Sequence, residues 1–246
     1  MSIQPPRRPL QRGPARLDAL QSGTGLVLAL FMLVHTLFAS TILLGTDAMA
    51  TLARALEGYY VFGRSIPAIV TLFALAIFTI FVLHALLAMR KLPGSYAQLV
   101  ALRRTISSVK HPDTGLWGWQ AITGIVLLFL ATIHLHGVLT HAHALGPVES
   151  ARQVWSERMF PLYFLLLPAV ELHVGIGLYR LAMKWGWFQS TRPAVTRRRL
   201  KRAMWGIIVV YLMLGLASLV TYARLGFELA RAEQPARQPA LAERAP

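Results

Sequence analysis

The sequence predicts an all-α integral membrane protein of five transmembrane helices with its N-terminus in the cytoplasm. Three observations carry that expectation. The 246-residue chain is 55% hydrophobic and only 14% charged, too apolar for an ordinary soluble domain of its size. Its apolar residues fall into five runs of about 20, the length that crosses roughly 30 Å of hydrocarbon at 1.5 Å per residue. The basic residues, which leave a formal net charge of +15, lie between those runs. That pattern belongs to membrane proteins with basic loops and excludes a nucleic-acid partner, which needs the charge gathered on a folded polar surface.

The chain opens on a basic arm, residues 1–17, in which Pro5, Pro6, Pro14 and Arg7, Arg8, Arg12 and Arg16 leave no apolar core for a signal peptide. The membrane domain is expected over 18–228, followed by a tail, 229–246, rich in Ala, Pro, Arg and Glu. Both ends have the composition of disordered segments. The five spans are placed near Gly23–Leu44, Ile66–Met89, Gln120–Thr140, Phe160–Ala182 and Met204–Arg224. Pro67 and Pro161 stand at helix starts, and Pro93-Gly94 follows a helix end.

Orientation follows from the connections. The N-terminal arm, the second connection (Arg90, Lys91, Arg103, Arg104, Lys110) and the fourth (from Arg180 and Lys184 through Arg202) hold most of the 25 lysines and arginines. The positive-inside rule puts that side in the cytoplasm and the C-terminus outside. The two external connections carry amphipathic stretches, Asp47–Gly63 and Glu149–Met159, with aromatic residues among charges. Such segments suit short helices lying in the headgroup region.

An internal repeat divides the first four spans into two hairpins. Gln21-Ser22-Gly23-Thr24-Gly25 runs through nine residues to His35, and Gln120-Ala121-Ile122-Thr123-Gly124 runs through nine to His134. Each Q-x-x-T-G-x9-H segment is followed by a span carrying Leu-His, at Leu83-His84 and Leu172-His173. The fifth span stands outside the repeat.

Four of the eight histidines therefore lie inside apolar helices, one on each of four successive spans. An ionisable group at that depth is costly and marks a functional site more often than not. Hydrogen bonding between helices explains one such histidine well and four poorly. His35 and His134 stand about 21 Å from the inner end of rising helices. On the descending helices, His84 and His173 lie roughly 9 and 16 Å from the inner end. Two levels result, His35 with His134 toward the outside and His84 with His173 toward the cytoplasm. Paired histidines across a bundle are the ligand set of a low-spin b heme, so the expected architecture is a four-helix heme-binding bundle plus a fifth helix. The chain has no cysteine, which excludes covalent C-x-x-C-H heme attachment, thiolate-bound iron–sulfur clusters and disulfides.

Gln21 and Gln120 stand about 40° from their histidines and toward the inner end. Both amides are placed to reach heme carboxylates or, equally, to make plain interfacial hydrogen bonds. Ser22, Trp117 and Lys184 lie near the same boundary, where they can contact propionates or serve as ordinary belt and snorkelling residues. Gly175 and Gly177 allow close approach of a heme or a helix. Glu171, two residues from His173, points roughly 160° away from it. It cannot share the heme face, and it reads either as a proton carrier or as an acid hydrogen-bonded between helices.

The segments around these histidines, Gln21–Gly45, Phe81–Lys91, Gln120–Leu135 and Val170–Trp187, resemble the diheme cytochrome b subunit of bacterial menaquinol:fumarate reductases. Glu171 through Trp187 and Ser40 through Gly45 carry the most specific similarity, which spans about Asp18 to Leu225. The resemblance implies two hemes b, a distal one on His35 and His134 and a proximal one on His84 and His173. It implies Glu57 as proton acceptor at an outer menaquinol site, Glu171 on a transmembrane proton pathway, and Gln21, Ser22, Trp117 and Lys184 near propionates. It also implies a flavoprotein and an iron–sulfur subunit on the cytoplasmic face of a bacterial inner membrane, in a dimer of heterotrimers. FAD and iron–sulfur clusters would reside only in those partners, where succinate and fumarate are handled. The surroundings of Arg152 and Gln153 depart from the family pattern, as do His136, His141 and His143. Two other readings are a cytochrome b of a hydrogenase or formate dehydrogenase, and a heme-free anchor.

Overall fold

A computed structural model describes residues 13–108, 112–140 and 145–242, the side chains of 106, 107, 112 and 234–242 excepted. No strand occurs among them. Nine α-helices follow in order: α1 Gly13–Ser40, α2 Thr46–Leu56, α3 Tyr59–Phe62, α4 Pro67–Met89, α5 Tyr96–Ser108, α6 Pro112–Thr140, α7 Pro147–Trp155, α8 Phe160–Trp185 and α9 Pro193–Ala242. A 3-10 turn, Thr41–Leu44, extends α1. Five of these helices, α1, α4, α6, α8 and α9, are long and apolar enough to cross a membrane, and the chain is a multi-pass membrane protein.

The five spans fall where hydropathy put them, but α1, α6 and α9 run well past the expected ends and α8 runs on to Trp185. Helix α1 starts at Gly13 rather than Gly23, α6 starts at Pro112 rather than Gln120, and α9 extends from Pro193 through Ala242. Hydropathy marks only the turns that lie in hydrocarbon, whereas backbone i→i−4 bonding continues into the headgroups and water. The domain limits expected at residues 17 and 229 consequently fall inside α1 and α9. Proline opens α4, α6, α7 and α9 and occupies the first turn of α8, where its missing N–H costs nothing.

The expected headgroup helices are α2 with the single turn α3, and α7. Gly58 and Gly63 flank α3 in the left-handed region, at φ 78° and 68°. Helix α5 in the opposite connection was not foreseen: Arg103 and Arg104 interrupt its apolar residues. His111, His141 and His143 lie outside the described residues.

Helices α1 and α4 pack as one hairpin and α6 and α8 as the other, with α4 against α6 and α1 against α8. Helix α9 lies outside this bundle, against α8, α1 and α7. Lipid tails are as apolar as leucine, so close packing and hydrogen bonds hold such helices together. At Gly175 a Cβ would come within 2.4 Å of Ile208 Cγ1 on α9, and at Gly215 within 2.4 Å of Leu167 Cδ1 on α8. These two glycines bring α8 and α9 together. Helix α8 is the most enclosed element, burying Val170, Glu171, Val174, Ile176 and Tyr179 among others. At the end bearing α5 and the arginine-rich start of α9, Asp113 accepts from the Tyr179 hydroxyl (3.2 Å) and pairs with Lys201 (2.6 Å), tying α6, α8 and α9 together.

Candidate heme and quinol sites

The four-helix bundle encloses a cavity of about 1550 Å³, and His35, His84, His134 and His173 all line it. Each comes from a different helix: α1, α4, α6 and α8. The bundle thus brings together the four histidines that the sequence singled out, and it does so around one apolar space.

At the end bearing α2 and α7, the rings of His35 and His134 face each other with centres 6.2 Å apart and planes inclined at 53°. A metal–imidazole bond is about 2.0–2.1 Å and the ring centre lies about 1 Å behind the nitrogen, so two imidazoles on one metal hold their centres about 6 Å apart. The observed separation meets that requirement. Nδ1 of His134 is buried without a hydrogen-bond partner, and the Tyr163 ring meets the His134 ring edge-on at 5.5 Å. The Tyr163 hydroxyl donates to Gln153 Oε1 of α7 (3.1 Å).

At the basic end the repeat has a structural meaning. Thr24 Oγ1 is 3.1 Å from His84 Nδ1, and Thr123 Oγ1 is 3.2 Å from His173 Nδ1. His173 Nδ1 is also 3.1 Å from the Gln120 carbonyl. A Cβ on Gly25 would lie 2.8 Å from His84 Cε1, and one on Gly124 would lie 3.0 Å from His173 Cε1. The Thr-Gly pair of each repeat unit therefore holds the histidine of the following span, hydroxyl on Nδ1 and bare backbone against the ring. With Nδ1 committed to a hydrogen bond, Nε2 is left as the ligating nitrogen, the usual device for fixing a metal-binding imidazole. The sequence displayed this threonine and glycine as part of the repeat; their role needed the α1–α4 and α6–α8 contacts.

Gln21, Ser22, Trp117, Gln120 and Lys184 line the same cavity. Gln21 Oε1 is buried and unpartnered. Ser22 donates to the Asp18 carbonyl (2.9 Å) and accepts from Lys184 Nζ (2.7 Å). Asp18 on α1 pairs with both Lys184 and Lys91; it lies outside the repeat and the apolar run, so nothing in the sequence marks it. Gln120 Oε1 accepts from the Arg180 guanidinium. Four imidazoles lining one apolar cavity, with an unpartnered amide and several cations at one end, fit a non-covalently held heme, whose carboxylates those cations would meet.

Glu171 lies away from the histidine stripe, as its angular position requires. It is 3% exposed and its Oε1 accepts from Thr36 Oγ1 at 3.2 Å. Thr36 itself lines the cavity, so the carboxyl reaches the cavity wall through one hydroxyl. Glu57 closes α2 and is also buried, at 9% exposure. Its neighbour Leu56 lines the cavity. His136 is exposed on α6 and takes no part in the site.

Residues 95–216 match the succinate dehydrogenase/fumarate reductase transmembrane subunit family. The chain is 43% identical over 223 residues to the fumarate reductase cytochrome b subunit of Wolinella succinogenes, covering 91% of this chain and 87% of that one. It is 43% identical over 214 residues to the protein of the same name from Helicobacter pylori strain 26695, covering 87% and 82% respectively.

Proposed function

Because this chain belongs to the family of succinate dehydrogenase/fumarate reductase transmembrane subunits, we propose that it is the diheme cytochrome b subunit of a bacterial menaquinol:fumarate reductase. In this reading it anchors a flavoprotein and an iron–sulfur subunit at the cytoplasmic face of the inner membrane, in a dimer of heterotrimers. Family membership sets aside the reading as a hydrogenase or formate dehydrogenase cytochrome.

The observation that carries the proposal is one cavity lined by four histidines from four helices, of which His35 and His134 face each other with ring centres 6.2 Å apart. His35 and His134 hold the distal heme and His84 and His173 the proximal one. Bound there, the two hemes supply a one-electron path between the two membrane faces. The protein's own groups do the rest. Thr24 and Thr123 fix the proximal imidazoles, and Gln21, Ser22, Trp117, Gln120 and Lys184 stand at the carboxylate edge. Glu57, at the end of a headgroup helix, accepts the proton that quinol releases on oxidation. Glu171 moves protons through the interior, with Thr36 as its hydrogen-bond partner. Among the described residues most lysines and arginines lie at the α5 end, which the positive-inside rule assigns to the cytoplasm. The same parts serve succinate oxidation by quinone in reverse.

The test is a dithionite-reduced minus oxidised spectrum of the purified complex, with pyridine hemochrome quantitation per chain. The expected result is two b hemes, falling to one in His84→Ala and to one in His35→Ala. An assembled complex without heme would leave only a membrane anchor and would end this reading.

A further inference from the structure

Arg180 is a charged side chain that none of the roles above uses. It lies seven residues after His173 on α8, and at 100° per residue that returns it to within about 20° of the histidine. Gly177, between them, keeps the wall thin: a Cβ there would lie 3.0 Å from Gln120 Nε2. His173, Gly177, Arg180 and Lys184 form one stripe, and all four line the cavity. Arg180 is half-buried, and its guanidinium donates to a neutral acceptor, the Gln120 side-chain oxygen. Among the described residues no carboxylate pairs with it.

Its neighbour Lys184 is in a different position. Lys184 is more exposed, and its ammonium is already matched by the Asp18 carboxylate and the Ser22 hydroxyl. Asp113, the other acid at this end, is taken up by Lys201, Arg197 and Tyr179. A guanidinium facing an apolar cavity without a counterion is costly unless an anion arrives to meet it, and its planar fork suits a carboxylate in two-point contact.

We propose that Arg180, oriented by Gln120, is the principal clamp for a propionate of the proximal heme, ahead of Lys184. Two helical turns separate Arg180 from His173, in the direction of the basic end. A porphyrin held by His173 would meet the Arg180 guanidinium with any carboxylate directed toward that end. This inference rests on the diheme reading of the cavity.

A positive charge at the heme edge favours the reduced, more electron-rich heme, so its removal lowers the midpoint potential of that heme alone. The experiment is a redox titration of the purified complex carrying Arg180→Gln, Arg180→Lys or the neutral, similarly long Arg180→Met. Heme content is counted first in the unaltered complex. Fewer than two hemes there would defeat the diheme reading itself, before any variant is compared. With two hemes present, one titration wave is expected to move to lower potential in R180Q and R180M and to return toward its original position in R180K. The other wave should stay fixed. Two hemes with both waves unmoved in either neutral variant would overturn the clamp and leave Arg180 as a packing residue.

Discussion

Thr24 Oγ1 stands 3.1 Å from His84 Nδ1, a contact between the first and second spans that Thr123 and His173 repeat at 3.2 Å between the third and fourth. The two hairpins therefore solve one problem in one way: an imidazole from one helix is oriented by a hydroxyl from its hairpin partner. Loss of such an orienting partner typically costs about ten- to a hundredfold in metal affinity. Thr24→Val and Thr123→Val keep the side-chain shape and remove the hydroxyl hydrogen bond. Each is expected to weaken proximal heme retention and alter its low-spin EPR signal, while the distal signal is unchanged. Unaltered spectra in both variants would show that the hydroxyls play no part in ligand orientation.

The glycines beside those threonines make a steric prediction. Gly25→Ala would place a Cβ 2.8 Å from His84 Cε1, and Gly124→Ala one 3.0 Å from His173 Cε1. Both rings must tilt or withdraw. Gly23, two residues away, has open space around its Cβ position. Hemochrome counts should fall toward one heme per chain in G25A and stay at two in G23A. Equal counts in the two variants would contradict the close approach.

Much of this architecture was legible in the residues because two simple periods carry it. A run of about 20 apolar residues announces a span, and an isolated histidine inside the run announces a site, so both the helices and the four histidines that line the cavity could be read directly. The helix ends were not legible. Asp18 and Arg16 on α1, and Arg197 through Lys201 on α9, break the hydropathy signal without breaking the helix. Nor were the contacts between histidines and their neighbours. The link from Thr24 to His84 spans sixty positions, and nothing in either segment states which helix faces which. In the sequence Arg180 reads as one more positive charge at the inner boundary; in the fold it lines the cavity.

Glu171 gives a prediction that separates chemistry from packing. Its carboxyl accepts from Thr36 Oγ1 at 3.2 Å within the buried interior. Glu171→Gln keeps the size and still offers an oxygen to Thr36, so assembly and heme content should persist. Quinone-linked turnover should fall by an order of magnitude or more, while fumarate reduction by an artificial dye donor that bypasses the quinol site continues. Thr36→Val removes the donor and should cost about 1 kcal/mol of stability, with a smaller kinetic effect. Full quinone-linked turnover in E171Q would remove Glu171 from any proton route.

Glu57 should show the complementary pattern at the other end. It closes α2, with Gly58 following in the left-handed conformation at φ 78°. A Cβ at Gly58 would meet the side chains of Phe62 and Ile69 at 2.8 and 2.9 Å, so the chain turn that presents Glu57 is tightly set. Glu57→Gln removes only the proton acceptor. Menaquinol oxidation should be lost with both hemes and their potentials intact. Retained menaquinol oxidation would place the acceptor elsewhere.

The packing of α7 against α9 yields a stability prediction that does not depend on any cofactor. A Cβ on Gly226 would lie 2.3 Å from the Ala151 carbonyl oxygen and 2.6 Å from Trp155 Cβ. Ala151 is fully buried, and the nearest obstacle is backbone, which cannot swing aside as a side chain can. Gly226→Ala must push α7 off α9, and overpacking of this kind costs about 1–3 kcal/mol. The same substitution at Gly206, on the same helix with open space around it, removes no contact and adds helix propensity worth up to about 1 kcal/mol. Thermal unfolding of the detergent-solubilised complex should therefore occur at lower temperature for G226A and at unchanged or slightly higher temperature for G206A. If G226A unfolds at the original temperature, α7 and α9 are not in the close contact described here.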